Sequence, residues 1–191
     1  MQLKNDMRVI RTKRAIRQAF LTLLTEKKYE NITVQDIARE AFINRNTFYT
    51  HYIDKTDLLE KLSNECLDDL KKCLAEKNIP ELDDDLLYTI IKDVLNTIEM
   101  NAGFYRSMMI DSDSAFFTEK LATTLKDIVY PYISDSTGQE KDLFIEYLIS
   151  GFIGIIRMYL KGDIKVSIEK LSNFFFNFIH QNPYSLFLKN T

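Results

Sequence analysis

The chain has 191 residues and a formal net charge of -3, with 46% hydrophobic residues, 5 Gly, 3 Pro and 2 Cys. So large an apolar share excludes wholesale disorder, and so few Gly and Pro exclude a turn-rich sandwich or barrel. What remains is an all-α chain of long helices and short connections, in one large domain or two small ones. The charge is uneven: residues 1–62 carry 12 Lys/Arg against 8 Asp/Glu, and the remainder 13 against 20. Only the basic front suits a polyanion.

Residues 8–28 put Ile10, Ala15, Ile16, Ala19, Phe20, Leu23 and Leu24 on one helical face. The opposite face holds Arg8, Arg11, Lys13, Arg14 and Arg17, either an ordinary solvated face or a phosphate-contacting one. No apolar run opens the chain, so no signal peptide is expected there. Thr33, with Asp36 three residues on, reads as a capping box ahead of Val34, Ile37, Ala38 and Ala41. Asn44 caps a second short helix, with Phe48 and Tyr52 inward. Asp54 starts a third, whose stripe is Leu58, Leu59, Leu62, Cys66, Leu70 and Cys73. The cysteines are about 10 Å apart along that helix, beyond disulfide reach, so two reduced thiols and a cytoplasmic location are expected.

Pro80 and an acidic run break the pattern at residues 76–85. Helical periodicity returns over 86–100, 104–110, 114–129, 140–161 and 166–180, with turns at 101–103 and 134–138. The most apolar stretch, 143–160, is interrupted by Glu146 and Arg157 and makes a poor membrane span, so no membrane partner is expected.

The block ITVQDIAREAFINRNTFYTHYIDKTDLL at residues 32–59 resembles the DNA-binding domain of TetR-type (TetR/AcrR) bacterial transcriptional regulators. The T-x-x-x-I-A opening, the T-F-Y-x-H-Y recognition helix and the D-K-x-D-L-L start of the next helix carry the resemblance. It implies a helix-turn-helix domain at 8–68, with the motif at about 32–51, and a helical ligand-binding and dimerisation domain at 69–191. It further implies a sequence-specific DNA-binding regulator, a ligand-responsive repressor acting as a homodimer on a pseudo-palindromic operator. The alternative is a partner-dependent regulator or activator without a small ligand. The residues it places at DNA are Thr33, Gln35, Asn44, Arg45, Asn46, Thr47, Tyr49, Thr50, His51 and Lys55. Of these, Arg45 suits guanine, Asn46 suits adenine, and Gln35 is a further base reader. Thr33, Thr47, Tyr49, His51 and Lys55 suit phosphates. Many members carry Gly in the turn, where this chain has Ala41-Phe42-Ile43. Phe tolerates positive φ poorly, so a different turn with Phe42 packed inward is expected.

Beyond that block, Ser150, Gly151 and Gly154 lie in an apolar helix, followed by the Phe-rich segment 174–178. So wide an apolar surface needs a cover, either within one chain or from a second copy. The family resemblance implies a homodimer in which these two helices pair as a four-helix bundle, through Ile149, Phe152, Ile153, Ile156, Phe174, Phe175 and Phe178. Of the aromatics and methionines in the middle of the chain, Tyr88, Phe104, Tyr105, Met108, Phe117, Tyr147, Gly151 and Met158 are candidate pocket lining for a small effector. Ser167-x-x-Lys170 has hydrolase spacing without the partner motifs and fits a helix start better. With His51 and His180 the only histidines, no metal site, cofactor or catalytic residue is expected.

Overall fold

A computed structural model of the chain describes residues 2–75, 83–111, 115–133 and 138–181. They form α1 (Gln2–Glu26), α2 (Val34–Glu40), α3 (Arg45–Tyr49), α4 (Lys55–Ala75), α5 (Asp84–Met100), α6 (Ala102–Arg106), α7 (Ala115–Val129), α8 (Gly138–Lys161) and α9 (Ile168–Gln181). A wide π-type turn, Ser107–Asp111, continues α6. The all-α expectation holds, and the described helices lie close to where apolar periodicity puts them.

Side-chain caps explain several of the helix starts. Thr33 Oγ1 accepts from the Asp36 amide (3.1 Å) while Asp36 Oδ2 accepts from the Thr33 amide (3.0 Å), closing the capping box. Asp83 Oδ1 accepts from the Leu86 amide at 2.8 Å. Ser167 Oγ accepts from the Lys170 amide at 3.2 Å, so the Ser-x-x-Lys spacing serves a helix start.

One contiguous apolar core runs through the molecule. In the N-terminal part, Ile16 and Phe20 of α1, Ile37 of α2, Phe48 of α3 and Leu58 of α4 are fully buried together. This core holds α2 and α3 against the start of α4. α4 continues unbroken past residue 68, so head and body share it. A second tie comes from Arg17, whose guanidinium donates to Glu65 of α4 (3.0 Å) and to Asn101 Oδ1 after α5 (3.2 Å). Arg17 is therefore half-buried and occupied inside the chain, whereas Arg8, Arg11, Lys13 and Arg14 are exposed.

Helix α8 is long and apolar enough, by length and composition alone, to cross a membrane. Here it packs into the body. Glu146 pairs with Lys126 of α7, and Arg157 donates to the Met109 carbonyl.

Candidate nucleic-acid interface

The reading unit is built by bonds between near neighbours. Asn44 Oδ1 accepts from the Asn46 amide at 2.9 Å and starts α3. Asp54 Oδ1 accepts from the amides of Thr56 and Asp57, both at 2.8 Å, and Asp57 Oδ2 accepts from the Ile53 amide at 3.0 Å. Phe48 and Tyr52 point inward, ring centroids 5.5 Å apart, as their spacing predicts.

The turn between α2 and α3 differs from expectation. Phe42 is not packed inward; its side chain is 96% exposed and its φ is 54°. The Phe42 amide donates to the Arg39 carbonyl (3.1 Å) and the Ile43 amide to the Ala38 carbonyl (2.9 Å). These are the two bonds of a Schellman C-cap, which demands a left-handed residue at the position Phe42 fills. α8 ends in the same way, with Gly162 at φ 83° and the bonds Gly162 to Tyr159 and Asp163 to Met158, both 3.0 Å. The strain of left-handed backbone on a residue with a Cβ is about 1–2 kcal/mol. Two backbone hydrogen bonds of about 1 kcal/mol each offset it.

Gln35, Asn44, Arg45, Asn46, Tyr49 and Thr50 are exposed. Arg45 Nη2 donates to the Tyr49 hydroxyl at 3.0 Å, and its guanidinium carbon sits 5.5 Å from the Tyr49 ring centroid. This pairing restrains a long side chain before any ligand arrives, which lowers the ordering cost of binding. Thr33 is committed to the cap, and Thr50 Oγ1 donates to the Thr47 carbonyl at 2.7 Å. Thr47 and His51 are half-buried. Partial burial, with Lys13 of α1 adding repulsion, holds the His51 pKa below its ordinary value. The imidazole is thus neutral at pH 7.

Lys55 is placed differently from the rest. Its ammonium donates to the carbonyls of Tyr29 (3.0 Å), Glu30 (3.1 Å) and Ile32 (2.9 Å) and sits 4.5 Å from the Tyr29 ring centroid. It ties the start of α4 to the loop before α2. Lys27 plays a comparable part, donating to Asp36 Oδ2 at 2.8 Å. These long-range roles have no periodic or capping signal in the sequence.

In the body, the candidate effector residues separate into groups. Phe104, Tyr105, Met108 and Phe117 are fully buried, and the three rings stack edge-to-face at 5.3–6.1 Å. Tyr88 meets Phe176 edge-on at 5.9 Å, and Met158 is exposed. Tyr147 and Gly151 line a cavity of about 510 Å³ between α5, α7, α8 and α9. Its walls are almost entirely apolar, including Ile91, Val94, Leu125, Phe152, Phe175 and Ile179. Of the candidate dimer residues, Ile149, Phe152, Phe174, Phe175 and Phe178 also line it. Ile153 and Ile156 are buried within the protomer. Among the described residues no group of His, Cys, Asp and Glu is placed to hold a metal ion.

Comparison with known proteins agrees with this geometry. Residues 16–62 match the family model described as bacterial regulatory proteins of the tetR family, and residues 85–181 match one described as a transcriptional regulator C-terminal region. A 58-residue stretch is 48% identical to YxbF, an uncharacterised HTH-type transcriptional regulator of Bacillus subtilis (strain 168); it covers 30% of this chain and 15% of that relative's length. A TetR transcriptional regulator from Streptococcus agalactiae 2603V superposes with a TM-score of 0.70 at 26% identity, over 94% of this chain and 99% of its own. The fatty acid degradation regulator FadR from Bacillus halodurans gives 0.68 at 14% identity, over 90% and 96%. The dihydroxyacetone kinase operon activator DhaS gives 0.66 at 22%, over 93% and 98%. The last two share the fold.

Proposed function

This chain belongs to the TetR family of bacterial DNA-binding transcriptional regulators, and we propose that it is a cytoplasmic, ligand-responsive repressor acting as a homodimer on a pseudo-palindromic operator. The observation that carries the reading is the capped α3 with Arg45 and Asn46 exposed at its start and Arg45 braced by Tyr49. In this reading Arg45, Asn46 and Gln35 meet base edges. Thr47, Tyr49, His51 and the exposed α1 residues Arg8, Arg11 and Arg14 meet phosphates, while Thr33 and Thr50, whose hydroxyls donate within the chain, hold the reading unit in shape. Lys55 positions α4.

Dimerisation is supported by the outer faces of α8 and α9. Leu143, Tyr147, Met158, Phe174 and Phe178 are exposed there, apolar side chains that a second copy would cover. A Cβ built on Gly151 or Gly154 meets nothing within 4 Å, so their small size serves no packing inside the protomer. It leaves room for a partner helix. A dimer would set two reading helices about one DNA turn apart, roughly 34 Å. The cavity opens beside the same helices, and its lining suits an apolar effector. Such an effector would act by binding one head spacing better than another.

A second reading, a partner-dependent regulator or activator without a small ligand, is favoured by the closed Phe104–Tyr105–Phe117 cluster, which fills the middle of the body with side chains. Thermal-shift screening with native mass spectrometry separates the two. A stabilising apolar ligand supports the first reading, and a body that no ligand stabilises supports the second.

The DNA-reading assignment is tested by Arg45→Ala in a footprinting titration on a duplex selected from a random pool. The expected result is a loss of about 1–3 kcal/mol in specific binding, with relaxed preference at one base pair per half-site. Unchanged binding sinks the assignment.

A further inference from the structure

Phe42 is the one non-glycine residue with positive φ among the described residues, and at 96% exposure its ring is the most exposed large apolar side chain there. Both properties count against it within the chain. The left-handed backbone strains a residue with a Cβ, and a ring left in water contributes no burial. The same hydrogen-bonded turn at the end of α8 uses Gly162, so the fold can be closed without that strain. Whatever use the ring has therefore lies outside the protomer.

Its place in the chain limits what it can touch. Phe42 stands three residues before Arg45, so their Cα atoms are at most about 11 Å apart. The major groove is about 12 Å wide. When Arg45 is in the groove, the Phe42 Cα is therefore within about one groove width of it, near enough for the exposed ring to reach a wall of the groove. The apolar surfaces offered there are deoxyribose faces and thymine 5-methyl groups.

Resting on the DNA-reading assignment above, the geometry points to Phe42 as a DNA-contacting residue that packs its exposed ring on the apolar part of the groove wall. The ring adds an uncharged contact to those made by α3. It therefore raises affinity without changing the number of phosphates neutralised.

The test uses the full chain and the tightest duplex selected by wild type from a random pool. Phe42→Gly relieves the strain, and its Tm is expected to rise by about 1–4 °C. The same variant is expected to bind the duplex about threefold to tenfold more weakly per protomer, the value of one small apolar contact. Its salt slope should equal that of wild type, because no charge has been removed. Phe42→Leu keeps an apolar side chain at the strained position and should stay within about threefold of wild type. Replacing thymine by uracil in the duplex identifies the surface. Wild type weakens if the ring packs on a 5-methyl and is unmoved if it packs on deoxyribose; either result, with Phe42→Gly weakened, supports the contact. Equal affinity of wild type and Phe42→Gly overturns it. So does a loss accompanied by a shallower salt slope, which would mean a displaced α3, and so does a Phe42→Leu as weak as Phe42→Gly. A wild-type chain that selects no duplex overturns the DNA-reading assignment itself, a result distinct from any of these.

Discussion

The head around α2 and α3 and the body around α5 to α8 are held by different kinds of contact. In the head, the exposed polar groups of α2 and α3 mostly satisfy one another over two to four residues: Thr33 with Asp36, Asn44 with Asn46, Arg45 with Tyr49, Thr50 with Thr47, with Lys27 and Lys55 adding longer ties from outside these two helices. In the body, local caps such as Asp83 with Leu86 are joined by ties between residues far apart in the chain: Tyr159 meets Glu99, Arg157 meets the Met109 carbonyl, and Lys126 meets Glu146. Apolar rings fill the space between. A locally braced surface keeps its side chains in place when exposed to water, as a DNA reader must. A surface held by distant apolar packing can be rearranged by a ligand or a partner chain, as a switch must.

The largest effect expected from this contrast is in the body. Phe104 is buried against Tyr105 and Phe117. Phe104→Ala should lower unfolding free energy by about 3–5 kcal/mol in a urea titration, because the removed ring leaves a cavity that the neighbours fill only in part. A loss below about 1 kcal/mol would mean that the cluster closes over the gap, and the body would then be plastic enough to admit a ligand there.

Second in size is the outer face of α8. Gly154→Phe adds a ring where a Cβ meets nothing within 4 Å, so the protomer should fold as before, helped by about 0.5 kcal/mol of helix propensity. A dimer that packs on this face should dissociate, halving the mass in sedimentation. A variant that stays dimeric moves the interface elsewhere.

The same contrast explains what could be read from the sequence. The caps at Thr33, Asn44 and Ser167 and the inward Phe48 and Tyr52 follow from spacing, because their partners are at most four residues away. Phe42 misled because its own dihedral preference was weighed without the Ala38 and Arg39 carbonyls that the turn must satisfy. Lys55 bonds to carbonyls as far back as Tyr29, and Arg17 reaches Asn101; no local pattern announces either. In the middle of the body, aromatic composition marked Phe104 and Tyr147 alike, whereas only packing separates a filled core from a cavity wall.

The smallest effect tests the head through pH. Asp36 accepts from Lys27, from the Thr33 hydroxyl and from the Thr33 amide, and these bonds hold its pKa well below the ordinary 3.8, with the Lys27 bond the largest cause. A carboxyl whose folded pKa is depressed binds protons more readily unfolded than folded. Its contribution is therefore complete above the ordinary aspartate value and drains away as pH falls below it toward the folded value. Asp36→Asn cannot take up that proton. The variant should be somewhat less stable than wild type at pH 7, and the gap between the two urea midpoints should narrow as pH is lowered from about 5 to 2. Asp57 has a pKa depressed by Lys61 and the Ile53 amide, and it titrates in both proteins, so it cancels in the difference. A gap that stays constant over that range would mean that the Asp36 bonds survive protonation, and that the head is held by its apolar core rather than by its caps.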